Sequence, residues 1–524
     1  MTPQGFGLGL PRRSVLAGAS ALSLSARGVR AAARTRFVTA NNNPYDILDP
    51  HAVLDIGRIA IRLNMYDALL RWVDNPPRLI PWIADKWTIS PDALSYTFSL
   101  HPGVKFHDGT PLTADDVVFS IERILALKKG AYSLFGAVIA PGSTKALDPG
   151  TVRFTLRKPY AVFMAVLPEL WIVNSKLVRR HDKSGDWGAE WLARNEAGSG
   201  SYRLRRFDAA VGFQAGRVPD HFMGWHDGAV DDAEFRVVME TASRVLGVQK
   251  GEFNTTDGYL PIDQIKRLRE SGRVNIIEQE SIRTFYFIIN HAKPPLNDVN
   301  LRRAICYAFD YGGFINNILA GSVTRNAGII PNPMWGAPHD LKGYTYDLDM
   351  AKEHLAKVKV PMRPLQISAM AGYPQSEQGA LLLQAGLAKL GLDVKIVTQP
   401  YTTIAPKLDD PNRADDFVPL WRSAYYADPD NWTGFLFNSR NFGAGNASFY
   451  KNPRVDELTD KALVLTGQEQ RRQLYEEVSR ILVDQAVGLF VYNTKYYGPF
   501  TKNVKSIRYC PIGDAQDMRW VVMA

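Results

Sequence analysis

One segment constrains this chain more than any other: Pro81 to Arg123, PWIADKWTISPDALSYTFSLHPGVKFHDGTPLTADDVVFSIER. Trp87-Thr88-Ile89-Ser90 and Tyr96-Thr97-Phe98-Ser99-Leu100 alternate with period two around a Pro91-Asp92 turn, which predicts two paired strands. A further turn follows at His107-Asp108-Gly109. Thr113 stands where a helix N-cap belongs, with Asp115 and Asp116 in the first turn and Val117, Val118, Phe119, Ile121 and Ile124 on the apolar side. Strands, turns and a capped helix follow one another without a catalytic group among them, which predicts a binding scaffold.

At 524 residues the chain is too long for one ordinary core, so two large lobes or several domains are expected. Its 46% hydrophobic and 22% charged residues are those of a globular protein. Strand-like and helix-like patterns alternate irregularly without a repeat of fixed period, which predicts a mixed α/β architecture. Phe285–Asn290 and Gly488–Asn493 read as strands, and so does Val394–Val397. Glu377 to Leu390 and Arg471 to Asp484 read as helices, the first with apolar Ala380, Leu381, Leu383, Leu387 and Leu390 and ended by Gly391, the second amphipathic with Leu474, Val478, Ile481 and Leu482 inward.

The N-terminus carries Arg12-Arg13 before a weakly apolar run from Gly18 to Ala26 and a small-residue stretch at Ala31-Ala32-Ala33. This arrangement predicts a twin-arginine export signal over residues 1–33, cleaved near Ala33, and a periplasmic location. The leader holds four arginines and no acid, so the net charge falls from +9 to +5 on its removal, with 58 Lys and Arg against 53 Asp and Glu. That excess, without basic runs interleaved with aromatics, excludes a nucleic-acid footprint. Cys306 and Cys510 are too few for a disulfide framework, and two free, mostly buried thiols are expected.

Enzyme motifs are lacking. There is no HExxH, GxSxG or GxxxxGK[ST] pattern, and no cofactor is expected. His107-Asp108 beside Gly109 and Pro111 reads as a turn organised by its Asp. His221 and His226 are spaced too poorly for a metal site and read as loop histidines, and Gly443-Ala444-Gly445 reads as a flexible loop.

The Pro81–Arg123 segment closely resembles the signature region of the family 5 extracellular solute-binding proteins, which deliver peptides, nickel chelates, opines or oligosaccharides to ABC importers. Further stretches resemble that family in the same order: Leu48-Asp49-Pro50-His51, Gly198-Ser199-Gly200-Ser201-Tyr202, Leu296 to Ile305 with Ala308-Phe309-Asp310, and Asn446 to Pro453. The resemblance implies a two-lobed α/β periplasmic-binding-protein fold of type II, in its large cluster C form, with a ligand cleft between lobes. Lobe I would take residues 34–289 plus 493–524, with an inserted subdomain at about 70–197, and lobe II residues 290–492. The implied function is capture of a small polar organic ligand (oligopeptide, opine or glycoside) by hinge closure and delivery to permease subunits, by a monomer that meets the membrane only through the permease. A ligand-sensing or chaperone role on the same scaffold is the alternative, and a secreted hydrolase a more remote one.

For the ligand, the best stretch is Pro419 to Trp432, where Trp421, Arg422, Tyr425, Tyr426 and Asp428 precede and enter an Asp-Pro turn. Tyr45 and Leu48 before Asp49-Pro50, Tyr259 after Thr-Thr-Asp-Gly, Trp335 at the end of a Pro-rich loop, Tyr373 in a Gly-Tyr-Pro turn and Asn446 complete the expected wall. Peptide-binding relatives carry an Asp before this turn that pairs with the ligand's α-amino group. Tyr425 stands there in this chain, which argues for a sugar-containing, opine-like or otherwise uncharged-headed ligand.

Overall fold

Thr113 opens its helix as expected: its backbone N–H and its hydroxyl both donate to the Asp116 carboxylate (2.9 and 3.1 Å), and the helix runs Ala114–Leu127. It buries Val117, Phe119, Ile121 and Ile124. The two strands before it, Ala84–Ile89 and Ser95–Leu100, pair antiparallel with Trp87 opposite Phe98, and join Thr151–Thr155 and Lys145–Asp148 in a small sheet. Asp108 holds its turn by accepting from the Thr110 N–H and hydroxyl, with Gly109 at φ +85° where other residues are strained.

These are details of a computed structural model that describes residues 34–42, 45–443, 445–513 and 515–524. The expected export signal and Ala444 lie outside the described residues. Thr35–Ala524 forms one compact unit. Its main sheet has eleven strands among the described residues: Arg36–Asn41 (β1), Tyr202–Asp208 (β2), Gly212–Arg217 (β3), Asp232–Val237 (β4), Thr255–Thr256 (β5), Val274–Ile289 (β6), Val323–Arg325 (β7), Leu365–Met370 (β8), Val394–Gln399 (β9), Phe417–Arg422 (β10) and Gly488–Thr501 (β11). Their order is β9-β8-β10-β6-β11-β5-β1-β4-β3-β2, with β7 beside β11.

The long antiparallel pair β6 and β11 is the spine. One end, Val274–Glu280 against Lys495–Thr501, belongs to a first wing with β1 to β5; the other, Thr284–Ile288 against Gly488–Asn493, belongs to a second wing with β8 to β10. The ladder is broken between Glu280 and Thr284, where the chain passes from wing to wing. The run expected to end at Asn493 continues unbroken to Thr501, because Lys495 to Pro499 pairs with β6.

The recurring motifs are structural. Asp49 forms a bidentate pair with Arg123 (2.8 and 2.6 Å) in the interior, and Arg123 also reaches His51 Nδ1 (3.1 Å). His51 Nε2 donates to the Trp171 carbonyl, and burial together with the Arg123 charge lowers its pKa to about 4, so it stays neutral. Gly198 and Gly200 lie so close to the Met65 backbone that an added Cβ would stand 1.8 Å from its carbonyl oxygen and 2.4 Å from its carbonyl carbon respectively. Asp298 caps the helix Val299–Tyr307, and the buried Arg302 donates to carbonyls of Leu296, Gln485 and Ala486. Asn452 caps Pro453–Val464.

Local readings shift at several places. The helix expected from Glu377 spans Pro374–Ala388, since Pro374 suits a first helical position, and its apolar Leu381 is 58% exposed. The helix expected from Arg471 spans Gln468–Asp484; Val478 and Leu482 are buried while Leu474 and Ile481 are half-buried. His221 is not a loop-surface histidine: it is buried, with Nε2 3.4 Å from Asp67, whose carboxylate also accepts from Trp82 Nε1 (2.7 Å) and Ser199 Oγ (2.9 Å). Cys306 is buried, its thiol pushed up to about 12 by desolvation; Cys510 is half-buried, and no disulfide joins the two. Among the described residues no helix is long and apolar enough to cross a membrane.

Candidate functional site

The site grows from the break in the spine. Arg283 sits on β6 inside that break, and its guanidinium lies 4.3 Å from the centre of the Tyr259 ring and 5.0 Å from that of Trp421. Trp421 comes from β10 because Phe285 pairs with it across the ladder, ring to ring at 5.0 Å. Tyr373, just before the Pro374–Ala388 helix, packs on Trp421 at 5.7 Å, and its hydroxyl lies near Asn42, the residue after β1. Residues of both wings therefore meet around one indole.

Beside this group lies a second. The Arg422 guanidinium stacks on Tyr425 (4.9 Å) and Phe435 (4.7 Å), and Nη2 donates to the carbonyl and Oδ1 of Asn431 (3.3 and 3.2 Å). Tyr425 spans to the first wing by donating its hydroxyl to the Leu54 carbonyl (3.2 Å). Tyr401, half exposed, lies near enough for the Arg422 charge to act on its hydroxyl. Burial pushes the Tyr425 hydroxyl up to about 12 and raises those of Tyr373 and Tyr401, so all three are neutral near pH 7. The permanent charges are those of the arginines.

Polar capacity is left over here. Thr284 pairs with Arg422 on one side and Asn493 on the other, a row across three adjacent strands. Thr284 Oγ1, Arg422 Nε and Asn493 Nδ2 are each buried without a hydrogen-bond partner, and so is Arg283 Nε. Buried polar atoms are normally paired, so these four are the groups at the crossing with hydrogen-bonding capacity to spare.

Of the eleven expected wall residues, the structure brings together Tyr259, Tyr373, Trp421, Arg422 and Tyr425. The rest stand elsewhere. Tyr45 and Leu48 are fully buried in the first wing, Tyr45 edge-on to Phe213 and Phe235 (5.0 and 6.1 Å), because the chain after β1 turns inward before Asp49. Tyr426 is buried in the core beneath the small sheet, and its hydroxyl donates to Asp430 (2.9 Å). Asp428 is held by Arg471 in a buried bidentate pair (2.8 Å twice), and Trp335 covers that pair with Arg471 5.2 Å above its ring. Asn446 is internal, donating to the carbonyls of Asn438 and Tyr450 and accepting from Ser448. Arg283, Thr284 and Asn493 escaped the sequence reading, since each sits in a strand that reads as core.

Asp430 is unusual in this neighbourhood. Burial and the Asp428 charge push its carboxyl up to about 6, and its Oδ1 has no partner. The folded protein thus holds this proton more tightly than the unfolded chain, so stability is lost as pH rises from the ordinary carboxylate value near 4 to about 6. Asp430→Asn is expected to recover about 2 kcal/mol at pH 7.5 and almost nothing at pH 4. Thermal melts of both proteins at the two pH values check this; parallel profiles would refute it.

Two open concavities of about 470 and 700 Å³ lie on the second wing, one beside Arg363 and Asp416, the other along Leu381 and β9. Neither includes a cleft residue, and in the first Arg363 already pairs with Asp416.

Comparison with known proteins agrees with this architecture. The family model of bacterial extracellular solute-binding proteins, family 5 (middle region), matches residues 78–444. The chain is similar to the probable D,D-dipeptide-binding periplasmic protein DdpA of Escherichia coli K12, 32% identical over 89% of this chain and 90% of that protein. Among solved structures it is similar to the periplasmic binding protein DppA of Helicobacter pylori in complex with the peptide STSA, with a TM-score of 0.84, 26% identity, and coverage of 94% and 98% of the two chains. The dipeptide-binding protein of Pseudoalteromonas sp. SM9913 shares the fold, with a TM-score of 0.85 at 21% identity over 93% of this chain and all of that one. These neighbours are two-lobed α/β binding proteins, and the wings described above are such lobes. With its fold, its crossing strands and most of its length matched in this way, the chain belongs to family 5 of the bacterial extracellular solute-binding proteins, the ligand-capturing components of ABC importers.

Proposed function

We propose that this protein, exported by the twin-arginine route and cleaved near Ala33, works in the periplasm as a monomer that closes lobe I (34–289 with 493–524, and the subdomain near 70–197) against lobe II (290–492) around a small polar organic solute. The observation that carries this reading is the set of side chains spanning the crossing: Tyr425 donating to the Leu54 carbonyl, and Arg283 beside both Tyr259 and Trp421. A solute among these groups touches both lobes only when they are shut, and so shifts the open and closed populations. Micromolar affinity needs about −8 kcal/mol, within reach of stacked aromatics and a few paired polar groups. The closed form then docks on permease subunits. No step of catalysis is assigned to it.

The relatives named for dipeptides suggest a ligand with peptide-like dimensions. Tyr425 in place of a carboxylate, and Asp428 committed to Arg471, leave a peptide's free α-amino group without a partner in this loop. An opine, a glycoside or an amino-blocked peptide fits better. Native mass spectrometry of residues 34–524 purified from the periplasm is expected to retain a small organic solute. A free-amino peptide there would overturn the ligand class. An empty protein that no peptide, sugar, opine or metal chelate stabilises in thermal melts would overturn the transport reading and favour a sensing or chaperone role.

A further inference from the structure

Apart from the strand crossing, the second wing is also joined to the subdomain that holds the small sheet. Tyr426 and, from the helix Pro453–Val464, Leu463 are buried in the apolar core beneath that sheet, with Phe98, Phe163 and Leu167. The backbones meet there as well: the Ala161 N–H donates to the Leu463 carbonyl at 2.6 Å. Burial of apolar surface together with this bond draws the two bodies together without any solute between them.

Asp430, on the turn Pro429–Asn431, is bonded to this contact. Its Oδ2 accepts from the Tyr426 hydroxyl (2.9 Å), while its Oδ1 is buried without a hydrogen-bond partner, and Gly434 packs so close to that oxygen that a Cβ there would collide with it. From the subdomain, Tyr160, the neighbour of Ala161, lies near enough for the charges of Asp428 and Asp430 to act on its hydroxyl. The helix Gln468–Asp484 contributes Arg471 and Tyr475, and the turn Ser439–Asn441 contributes Arg440. Both cations are spent, Arg471 on Asp428 and Arg440 on Asp460. Burial raises the phenols of Tyr160, Tyr426 and Tyr475, so all three stay neutral. A charge on Asp430 would therefore face the Asp428 carboxylate with no cation of its own, whereas a neutral carboxyl would not.

We propose that the protonated Asp430 carboxyl fastens the second wing to the small-sheet subdomain through Tyr426, and that loss of its proton loosens this contact, so acid favours the shut form of the protein before any solute arrives. This deepens the closure reading and rests on it. When the wing and the subdomain part, water reaches Asp430 and stabilises its carboxylate, so the charged form belongs to the parted state and the proton to the shut one. The sign follows from the carboxyl's rise to about 6 in the shut form, against an ordinary value near 4. The contact is firmest below the ordinary value and weakens as pH climbs through about 6.

The test is hydrogen exchange of the mature protein, freed of co-purified solute, with each amide's protection taken relative to its intrinsic exchange rate at that pH. The Ala161 amide reports the contact, and the Leu156 amide, which donates to the Leu94 carbonyl within the subdomain, is the control. Protection of Ala161 is expected to fall about tenfold from pH 5 to pH 7.5 while that of Leu156 holds. Asp430→Asn, which cannot ionise, is expected to abolish the fall and to leave Ala161 better protected than in the parent at pH 7.5. Tyr426→Phe keeps the ring but withdraws the hydroxyl that favours the charged carboxylate, and is expected to move the fall to higher pH, a shift that stays decisive even where Asp430→Asn fails to fold. A flat Ala161 profile overturns the proposal, and so does a fall that survives in Asp430→Asn. An equal fall at Leu156 also overturns it, since the subdomain would then be unfolding and not parting from the wing. Each of these results leaves solute capture, read separately by native mass spectrometry, as it stands.

Discussion

Asp49→Ala is expected to destabilise the protein by about 3 to 5 kcal/mol, the range for stranding one partner of a buried ion pair. Asp49 and Arg123 are both buried, with side-chain exposures of 2% and 0%. Removing the carboxylate leaves a guanidinium in the interior with only the Trp187 carbonyl and His51 Nδ1 as partners. His51 offers little relief, because its pKa near 4 and its bond to the Trp171 carbonyl hold it as a neutral acceptor toward Arg123. The damage would spread, since Arg123 belongs to the Ala114–Leu127 helix and Asp49 to the chain leaving β1. Urea unfolding of the mature protein measures it; a loss under about 1 kcal/mol would mean that the pair is solvated and its attraction screened. A double variant that also replaces Arg123 by Met is expected to recover part of the loss, because an uncharged interior has no stranded charge.

Trp421→Ala is expected to weaken ligand binding by roughly 2 to 4 kcal/mol, the scale of an aromatic anchor at the centre of an interface. The indole touches Phe285, Tyr373 and Arg283, so its removal loosens three groups at once. The half-buried ring also contributes to packing, and a loss of about 1 to 3 kcal/mol in folding stability is expected alongside. The two effects separate experimentally: Trp421→Phe keeps a ring against Phe285 and should recover most of the stability. Binding should recover less, since the smaller ring covers less of the guanidinium. Calorimetric titration of the co-purified solute into both variants decides it. Unchanged affinity in Trp421→Ala would remove this indole from the site.

Much of the scaffold was readable because it depends on neighbours in sequence. Thr113 and Asp116 are three residues apart and form their cap within one helical turn. Trp87 and Phe98 face each other because a short turn fixes their register. The Gly198 to Tyr202 motif was legible as a pattern, though its reason, the approach to the Met65 backbone, was not. The site was less legible. Tyr425 and Tyr426 are adjacent and chemically identical, yet one spans the lobes to Leu54 and the other enters the core to reach Asp430. Asp428 looked available to a ligand until the chain brought Arg471 to it from 43 residues away.

The sequence alone determined the class of fold, the solute-binding family to which the chain belongs, and which stretch carries Trp421, Arg422 and Tyr425. Only the tertiary structure decided which of those side chains share a cleft, and that Arg283, hidden beside an apolar strand, stands among them. The reason is physical. Secondary structure follows from periodicity and capping over a few residues, whereas the cleft is made where β6, β10 and β11 lie side by side, strands far apart in sequence whose register is set by the packing of both lobes.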